Sequence, residues 1–388
     1  MKRVVYVGRS RDDGAIHYHE SMHRNVPLTP HGCDLAGWRG GRLSAIVLVI
    51  LVLAGCEPHA PGIQLVGATM GTQYSVKLVA PGETEANRLK QAIDTLLAAI
   101  NATMSTYDPA SELSRLNRNP TTTWIEISEE LRSVLAVAMA IGRASAGGFD
   151  ITVGPLVNLW GFGPQRGDRV VPDIAAIERA RARVGLDKLT LRAIPAAVRK
   201  RRGDVYIDLS GIAKGYAVDQ IAQYLEARGV TNYLVDIGGE LRAGGLNARG
   251  EPWRIGIEDP LVAGREIALS IPLSGKALAS SGNYRNYFAV DGVRYGHTID
   301  PHTGWPTRDR LAAVTVIHAS AMVADAWSTA LMSLGFDAGV KAAEAHGVAA
   351  LFFYPKGNGW ERYATKAFNL ARNHGAVANG YANGDPGR

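Results

Sequence analysis

The sequence is poor in cysteine, and near its N-terminus it has no apolar run long enough for a transmembrane helix. Only Cys33 and Cys56 occur among 388 residues, so no disulfide framework is possible and stability has to come from a hydrophobic core. With 46% apolar and 20% charged residues, the chain has ample material for one. No G-x-G-x-x-G motif follows a predicted strand, which argues against nicotinamide chemistry.

The excess of positive charge is small, at a formal +6, and it is partly confined to the N-terminal residues and to a basic cluster at Arg199–Arg202. A cluster of this kind is usually a solvated loop, and no aromatic residues are interleaved with it. The sequence therefore indicates no nucleic-acid site.

An uncharged run from Leu43 to Gly55 follows Arg39 and Arg42, which is the order of a secretory signal. The run is shorter than the roughly 20 residues of a membrane-spanning helix. Leu53-Ala54-Gly55-Cys56 resembles the lipobox of bacterial lipoproteins. That resemblance implies acylation of Cys56 and a lipid-anchored protein at the periplasmic face of the inner membrane; a noncleaved anchor helix with an incidental cysteine is the alternative.

Four regions are predicted along the chain. Residues 1–55 form a leader whose translation starts at Met1 or Met22, and residues 56–63 form a tether. Residues 64–372 form the working domain, and the Gly/Asn-rich residues 373–388 form a flexible tail. Helices and strands do not alternate strictly in the working domain, so we expect an α+β fold of mixed sheets and packed helices, as a single large domain or two closely packed lobes.

Apolar spacing predicts the main secondary-structure elements of the working domain. Helices are expected over 83–104, over 128–146 with Ser128 as N-cap, and over 172–184, 213–228 and 321–334. Strands are expected over 64–78 with an interruption at 67–72, and over 205–209, 233–241, 253–258, 266–272, 311–318 and 348–354. A hairpin is expected around Asp291-Gly292.

The segment from Asp208 to Asp219 runs from a predicted strand end through Gly211 into a helix start. Free backbone N–H groups at a helix N-terminus favour an anion, and Lys214 adds a positive charge at the same place. This arrangement suits a phosphate group. An ordinary strand-to-helix turn with a surface lysine explains the segment equally well.

Two further clusters are rich in polar side chains. The loop Gly296–Pro306 contains His297 and Asp300, which indicate a binding or catalytic loop or a hydrogen-bonded structural pair. Asp325 and Thr329 lie four apart on a predicted helix and therefore on one face. A carboxylate and a hydroxyl suit Mg²⁺ that keeps phosphate oxygens among its ligands, although a capping or surface contact explains the same spacing.

These segments together resemble the bacterial ApbE family of FAD:protein FMN transferases, from about Gly67 to Leu334. The matching pieces, in family order, are Gly67–Thr72, Met104–Tyr107 with Ser111–Asn117, Gly148–Leu156 with Leu159–Phe162, Asp208–Asp219, Asp236–Glu240, Ser281–Tyr287, the His297 loop and the Asp325 helix. Each piece alone is weakly specific, whereas the ordered set is very specific. A lipobox ahead of them is usual for that family.

The resemblance implies an enzyme that binds FAD, splits its pyrophosphate with Mg²⁺, and transfers FMN to a Thr or Ser hydroxyl of a partner protein, releasing AMP. It implies exported flavoprotein subunits of membrane redox complexes as acceptors. The residues implied to contact FAD are Met70, Tyr107, Gly148, Phe149, Asp150, Asp208, Lys214 and Ile299. The implied metal ligands are the Gly211 carbonyl, Asp325, Thr329 and Ser328.

His297 is the implied general base, with Lys214 nearby and with Asp300 either orienting the imidazole or capping the loop. Tyr107 offers an aromatic face to a flavin or adenine ring. Asn283 stands where the family frequently has aspartate, and Lys214 where some members have glutamate. Two other activities remain open, an FAD pyrophosphatase that gives FMN and AMP, and a lipoprotein that binds FAD without turnover.

Overall fold

The computed structural model describes residues 5–6, 62–79, 82–164, 169–260, 266–283, 286–307, 311–357 and 359–374. The predicted lipobox with Cys56 and the tail beyond residue 374 lie outside these ranges. Within them, no helix combines the length and apolarity needed to cross a membrane. The described residues belong to one compact unit of mixed helices and sheets, so the α+β prediction is confirmed in its single-domain form.

Eight α-helices are found within the described ranges. They are α1 (Glu83–Met104), α2 (Glu112–Arg118), α3 (Glu129–Ala144), α4 (Gly154–Leu159), α5 (Ile174–Arg181), α6 (Ala213–Glu226), α7 (Ala321–Ala345) and α8 (Lys366–His374). A short 3₁₀ helix covers Leu186–Lys188. Ser128 caps α3 as predicted, since its side chain accepts a hydrogen bond from the Leu131 N–H.

The strands of the described ranges form one large sheet and three small ones. They are β1 (Val5–Tyr6), β2 (Gly62–Thr69), β3 (Thr72–Val79), β4 (Trp124–Glu126), β5 (Leu189–Arg192), β6 (Ala197–Lys200), β7 (Tyr233–Ile237), β8 (Glu240–Gly244), β9 (Trp253–Glu258), β10 (Ile267–Leu273), β11 (Lys276–Gly282), β12 (Tyr287–Val290), β13 (Val293–Gly296), β14 (Ala313–His318), β15 (Ala349–Lys356) and β16 (Gly359–Ala364). The large sheet is antiparallel and has the order β16-β15-β14-β11-β8-β7-β3-β2. The small sheets are β1-β9-β10, β4-β6-β5 and the hairpin β12-β13.

Both faces of the large sheet are covered, because alternate side chains of a strand point to opposite sides. In β7, Val235 and Ile237 join the main core with α1, α3, α6 and α7. Leu234 of the same strand joins a second core, which contains Ile255 of β9 and Phe368 of α8. Central strands buried on both faces explain why the sequence reads there as continuous apolar runs rather than as alternation.

Two strand predictions are wrong, and the reason is local in both. Residues 205–209 form no strand and pair with none in the described ranges; instead, the Asn117 side chain binds the N–H and C=O of Ile207, and the Asp208 N–H donates to Ile151 O. The run 233–241 is not one strand but two, β7 and β8, since Gly238 and Gly239 adopt positive φ angles of 61° and 109° and reverse the chain.

The crossing of α6 and α7 depends on Gly215. A Cβ atom there would lie 2.3 Å from Ala321 O and 2.8 Å from the Asp325 Cβ. Since these are backbone and near-backbone atoms, the two helices can meet this closely only at a residue without a side chain.

We therefore expect Gly215→Ala to force α6 away from α7 and to lower the free energy of unfolding by about 1–3 kcal/mol. Urea denaturation followed by circular dichroism measures this loss. Gly359→Ala is the matched control, because a Cβ at Gly359 would meet only Lys356 O, at an ordinary 3.8 Å. Equal stability of the two variants would contradict the tight crossing.

Candidate active site

The start of α6, one face of α7 and the β7-β8 turn meet around the side chain of Lys214. Its Nζ lies 2.7 Å from Oε2 of Glu240 and 3.9 Å from Oδ1 of Asp325. The other Asp325 oxygen accepts a hydrogen bond of 3.0 Å from the Gly215 N–H. Lys214 is therefore ion-paired with a carboxylate that follows the β7-β8 turn, and it lies close to a second one on α7.

Three carboxyl groups, those of Asp236, Glu240 and Asp325, lie around the Lys214 ammonium group. Burial raises the pKa of Glu240 to about 8 and that of Asp236 to about 6, although the Lys214 ammonium opposes both shifts. Burial also raises the pKa of Asp325. The raised pKa values show that burial opposes ionisation of these carboxyl groups, and a cation bound among them would favour their ionised, negatively charged forms.

Oxygen ligands suitable for Mg²⁺ surround the same place. Asp325 and Thr329 lie one turn apart on α7, and a Cβ atom at Gly211 would lie 3.0 Å from the Thr329 Oγ1. Within the described ranges, no cluster of three or more His, Cys, Asp or Glu side chains is arranged to hold a metal. A cation here would therefore be held by one carboxylate together with hydroxyl and carbonyl oxygens, a donor set that fits Mg²⁺ bound to phosphate.

Ser328 is fully buried, and its hydroxyl is already engaged. It donates to the Asp325 carbonyl at 2.9 Å and shares a hydrogen bond of 2.8 Å with the Ser281 hydroxyl at the end of β11. Ser281 also lies 3.4 Å from the Thr329 Oγ1. Ser281 thus connects α7 to the large sheet beside the predicted ligands, and a metal contact of Ser328 stays a prediction.

His297 follows directly after β13, and its ring is fixed by a backbone carbonyl. The Nδ1 atom lies 3.2 Å from Asn286 O, and the His297 N–H donates to the same oxygen at 3.1 Å. Since a carbonyl only accepts, Nδ1 carries the hydrogen and the neutral ring presents an unprotonated Nε2. Burial first, and then the Lys214 charge, lower the pKa of His297.

Asp300 contacts its own loop rather than the predicted base. Its Oδ1 accepts the His302 N–H at 2.9 Å, and its Oδ2 accepts the Thr303 hydroxyl at 2.9 Å. No hydrogen bond or ion pair within the described ranges joins it to His297. Of the two roles predicted for Asp300, the geometry therefore favours the loop cap.

The predicted FAD-contacting segment Gly148–Asp150 packs between α7 and Gly211. A Cβ atom at Gly148 would lie 3.1 Å from Ala330 O on α7, and one at Gly211 would lie 3.1 Å from Cε2 of Phe149. The Asp150 carboxylate accepts the Thr152 N–H at 2.7 Å, and burial raises its pKa. Phe149 thereby lies against the predicted metal-binding residues.

Asp208 and Tyr107, two other predicted FAD contacts, lie near Tyr206. The buried Asp208 carboxylate accepts the Ser210 N–H at 2.8 Å. Burial first, and then the negative charge of Asp208, raises the pKa of the Tyr206 phenol, and the nearby Tyr107 phenol adds a smaller effect in the same direction. Tyr107 is 68% exposed, so it is a surface aromatic side chain and not a core residue.

Met70 occupies the tight turn between β2 and β3, where it has a φ of 48°. A positive φ is uncommon for a non-glycine residue and is often found at functional positions. The neighbouring β7-β8 turn contacts this hairpin, because the Gly238 N–H donates to Gln73 O at 3.2 Å. Ile299 is buried in an aromatic cluster with Trp160 and Phe288.

Comparison with known proteins identifies the family. Residues 70–352 match the profile of the ApbE family. The chain belongs to the ApbE family. Two similar relatives are the FAD:protein FMN transferases of Vibrio cholerae serotype O1, 43% identical over 320 residues that cover 82% of this chain and 95% of the relative, and of Haemophilus influenzae, 43% identical over 328 residues that cover 83% and 95%.

A solved structure agrees with this assignment. The flavin transferase ApbE from Vibrio cholerae superposes with a TM-score of 0.75 at 41% identity, covering 80% of this chain and 99% of that one. The fold described above is therefore the ApbE fold.

Three groups at this ApbE site were not predicted from the sequence as site residues. Glu240 had a signal, because an acidic residue after Gly238-Gly239 begins a buried strand. Ser281 ends β11 in a polar stretch that gave no periodicity. Asn286 also lies in the matching piece Ser281–Tyr287, but the role of its carbonyl was not predicted, since any residue supplies a backbone oxygen.

Asn283, which stands where the ApbE family frequently has aspartate, has a structural role that an amide can fill. Its Nδ2 donates to the Thr307 hydroxyl at 2.8 Å, and its Oδ1 accepts the Thr298 N–H at 3.4 Å. A carboxylate could also make both contacts, but it would accept the Thr307 hydroxyl proton where the Asn283 amide donates. Asn283 therefore connects the end of β11 to both sides of the loop that follows His297.

Proposed function

We propose that this chain transfers FMN from FAD to a threonine or serine hydroxyl of a partner protein and releases AMP. The observation that carries the proposal is the hydrogen bond from His297 Nδ1 to Asn286 O. It leaves Nε2 free to accept a proton, close enough to the Lys214 ammonium group for that charge to affect the ring. Membership of the ApbE family, with relatives named FAD:protein FMN transferases, supports the same reaction.

In the proposed step, the acceptor hydroxyl oxygen attacks the phosphorus atom of the FMN half of FAD. The hydroxyl proton passes to Nε2 of His297, and the bond from that phosphorus to the bridging oxygen breaks. AMP leaves with the bonding electrons, so atoms and charge balance. A threonine hydroxyl is a poor nucleophile, and a positioned imidazole typically accelerates such a step by about 10²–10⁴-fold.

Phosphoryl transfer also requires that the negative charge of the pyrophosphate be neutralised. Mg²⁺, when bound, supplies neutralisation of the phosphate charge; Asp325, Thr329 and the Gly211 carbonyl are the groups that would hold it. Lys214 binds the pyrophosphate electrostatically from the start of α6, while Glu240 fixes its ammonium group. Phe149 and the exposed Tyr107 orient the ring systems of FAD.

We further propose that the protein acts at the periplasmic face of the inner membrane, anchored by a lipid on Cys56, and that its acceptors are exported flavoprotein subunits of membrane redox complexes. The Leu53–Cys56 lipobox supports this location. Cys56→Ser should move the protein from the membrane to the soluble fraction; retention of this variant in the membrane would contradict the lipid anchor.

The test of the proposed reaction is a mass spectrum of an exported flavoprotein subunit after incubation with the protein, FAD and Mg²⁺. A mass gain equal to one FMN, lost when EDTA is added, is the expected result. Release of free FMN and AMP without modification of that subunit would favour the pyrophosphatase. Intact FAD would favour a binding protein without turnover.

The pH dependence of transfer follows from the lowered pKa of His297. A general base acts in its neutral form, so kcat/KM falls as the pH drops through its pKa. Because burial moves this pKa below the ordinary 6.5, we expect the acid limb of the profile to have its midpoint below pH 6.5. A midpoint above pH 6.5, measured with saturating Mg²⁺, would contradict the assignment.

A further inference from the structure

The imidazole of His302 bridges two loops of the site. Its Nδ1 lies 3.0 Å from Oδ1 of Asp300 in its own loop, and its Nε2 lies 3.0 Å from the carbonyl oxygen of Ala146. Ala146 lies in the turn after α3, more than 150 positions earlier in the chain. The ring therefore connects the loop that follows His297 to the segment that precedes Gly148.

Both partners of this ring are acceptors. A carbonyl oxygen cannot donate, and an ionised carboxylate has no proton to donate. The two contacts are made together only when each ring nitrogen carries a hydrogen, which is the imidazolium form. Its positive charge strengthens both bonds, since charge-assisted hydrogen bonds are roughly twice as strong as neutral ones.

The Ala146 carbonyl belongs to an unusual stretch of backbone. Ala146 and Gly147 have φ angles of 52° and 89°, so the chain turns through two successive left-handed conformations. A Cβ atom at Gly147 would lie 2.9 Å from Nε2 of His302, so a side chain there would displace the imidazole in addition to straining a backbone with positive φ. The next residues are Gly148, Phe149 and Asp150, which the proposed function places against FAD.

We propose that His302 is a positioning residue that holds the Ala146–Asp150 turn in its FAD-binding conformation through these two hydrogen bonds. The inference rests on the proposed function, because it assigns the FAD contact to Phe149 and its neighbours. His302 does not itself take part in the chemistry. Its loss should weaken FAD binding much more than it slows transfer at saturating FAD.

Removal of the ring should not unfold its loop. Asp300 still accepts the backbone N–H of residue 302 and the Thr303 hydroxyl, and the Arg181 guanidinium donates to the carbonyl of residue 302 at 3.1 Å. These bonds fix the loop without the imidazole. A side-chain substitution at position 302 therefore tests the contact to Ala146 rather than the integrity of the loop.

The experiment compares the purified protein with its His302→Ala and His302→Lys variants. FAD binding is titrated by flavin fluorescence, and KM and kcat are measured by mass-spectrometric transfer to an exported flavoprotein subunit. We expect His302→Ala to raise both Kd and KM for FAD about tenfold, the effect of roughly one net hydrogen bond, while kcat falls far less. Lysine has the charge and the donors for both acceptors, so His302→Lys should restore Kd to within about twofold.

His318→Ala is the matched control, since this exposed histidine is at the end of β14 and bonds only to its own loop at Ser320 among the contacts described. An unchanged Kd in His302→Ala, or a failure of lysine to restore it, would overturn the inference. If His302→Ala does not fold by circular dichroism, the lysine variant alone decides by its Kd. Absence of FAD binding to the unmodified protein would instead overturn the proposed function.

Discussion

Replacing His297 with alanine should lower the rate of FMN transfer by about 10²–10⁴-fold while leaving FAD affinity nearly unchanged. The ring is fixed through Nδ1 by the Asn286 carbonyl, so Nε2 is the nitrogen that can accept the acceptor's proton. Lys214 and Phe149, which are proposed to contact FAD, lie on other elements of the fold, so we expect His297→Ala to leave them in place. Single-turnover transfer, read by mass spectrometry, together with a fluorescence titration of FAD, separates the two effects.

His346→Ala is a suitable control for that experiment, because this exposed histidine caps the far end of α7. Transfer by His297→Ala at the rate of the control would contradict the assignment of the base. A rise in Kd for FAD equal to the loss of rate would instead indicate that His297 binds substrate and does not act as a base.

Local signals predicted five of the eight described helices, whereas α2, α4 and α8 were not predicted and α7 continues to Ala345 rather than ending at 334. Ser128 with two following glutamates specified the start of α3, and apolar spacing specified α1 from Glu83 to Met104. The strand predicted over 205–209 failed because apolar residues in an extended chain need a partner strand, and here the partner is the Asn117 side chain. That contact joins residues 90 positions apart, which no local pattern reports.

The same limit applies to the site. Motifs identified Lys214, Asp325 and Thr329, because each lies in a segment with a recognisable pattern. The pairing of Lys214 with Glu240 depends on how the β7-β8 turn meets the start of α6, and this follows only from the strand order of the large sheet. Sequence therefore predicted the chemical groups, whereas the charge balance among them required the fold.

Asp325→Asn is also expected to have a large effect, because Asp325 is one of the carboxyl groups around Lys214. Asparagine has nearly the same shape, and its amide oxygen can still accept the Gly215 N–H. The variant lacks the only carboxylate among the predicted metal ligands. We expect turnover to fall by about 10²-fold or more, and the Mg²⁺ concentration for half-maximal transfer to rise at least about tenfold.

The stability of Asp325→Asn should not fall together with its turnover. A stability measurement therefore distinguishes loss of a metal ligand from loss of the fold. Burial raises the pKa of Asp325, so its charged form costs folding free energy in the metal-free protein, and this cost grows as the pH rises through that pKa. Removing the charge should leave the urea midpoint at pH 7 unchanged or higher, because Lys214 keeps its contact with Glu240. Asp337→Asn, an exposed position on α7, is the control. A lower urea midpoint in Asp325→Asn, with unaltered Mg²⁺ dependence, would mean that Asp325 serves the α6-α7 contact and not the metal.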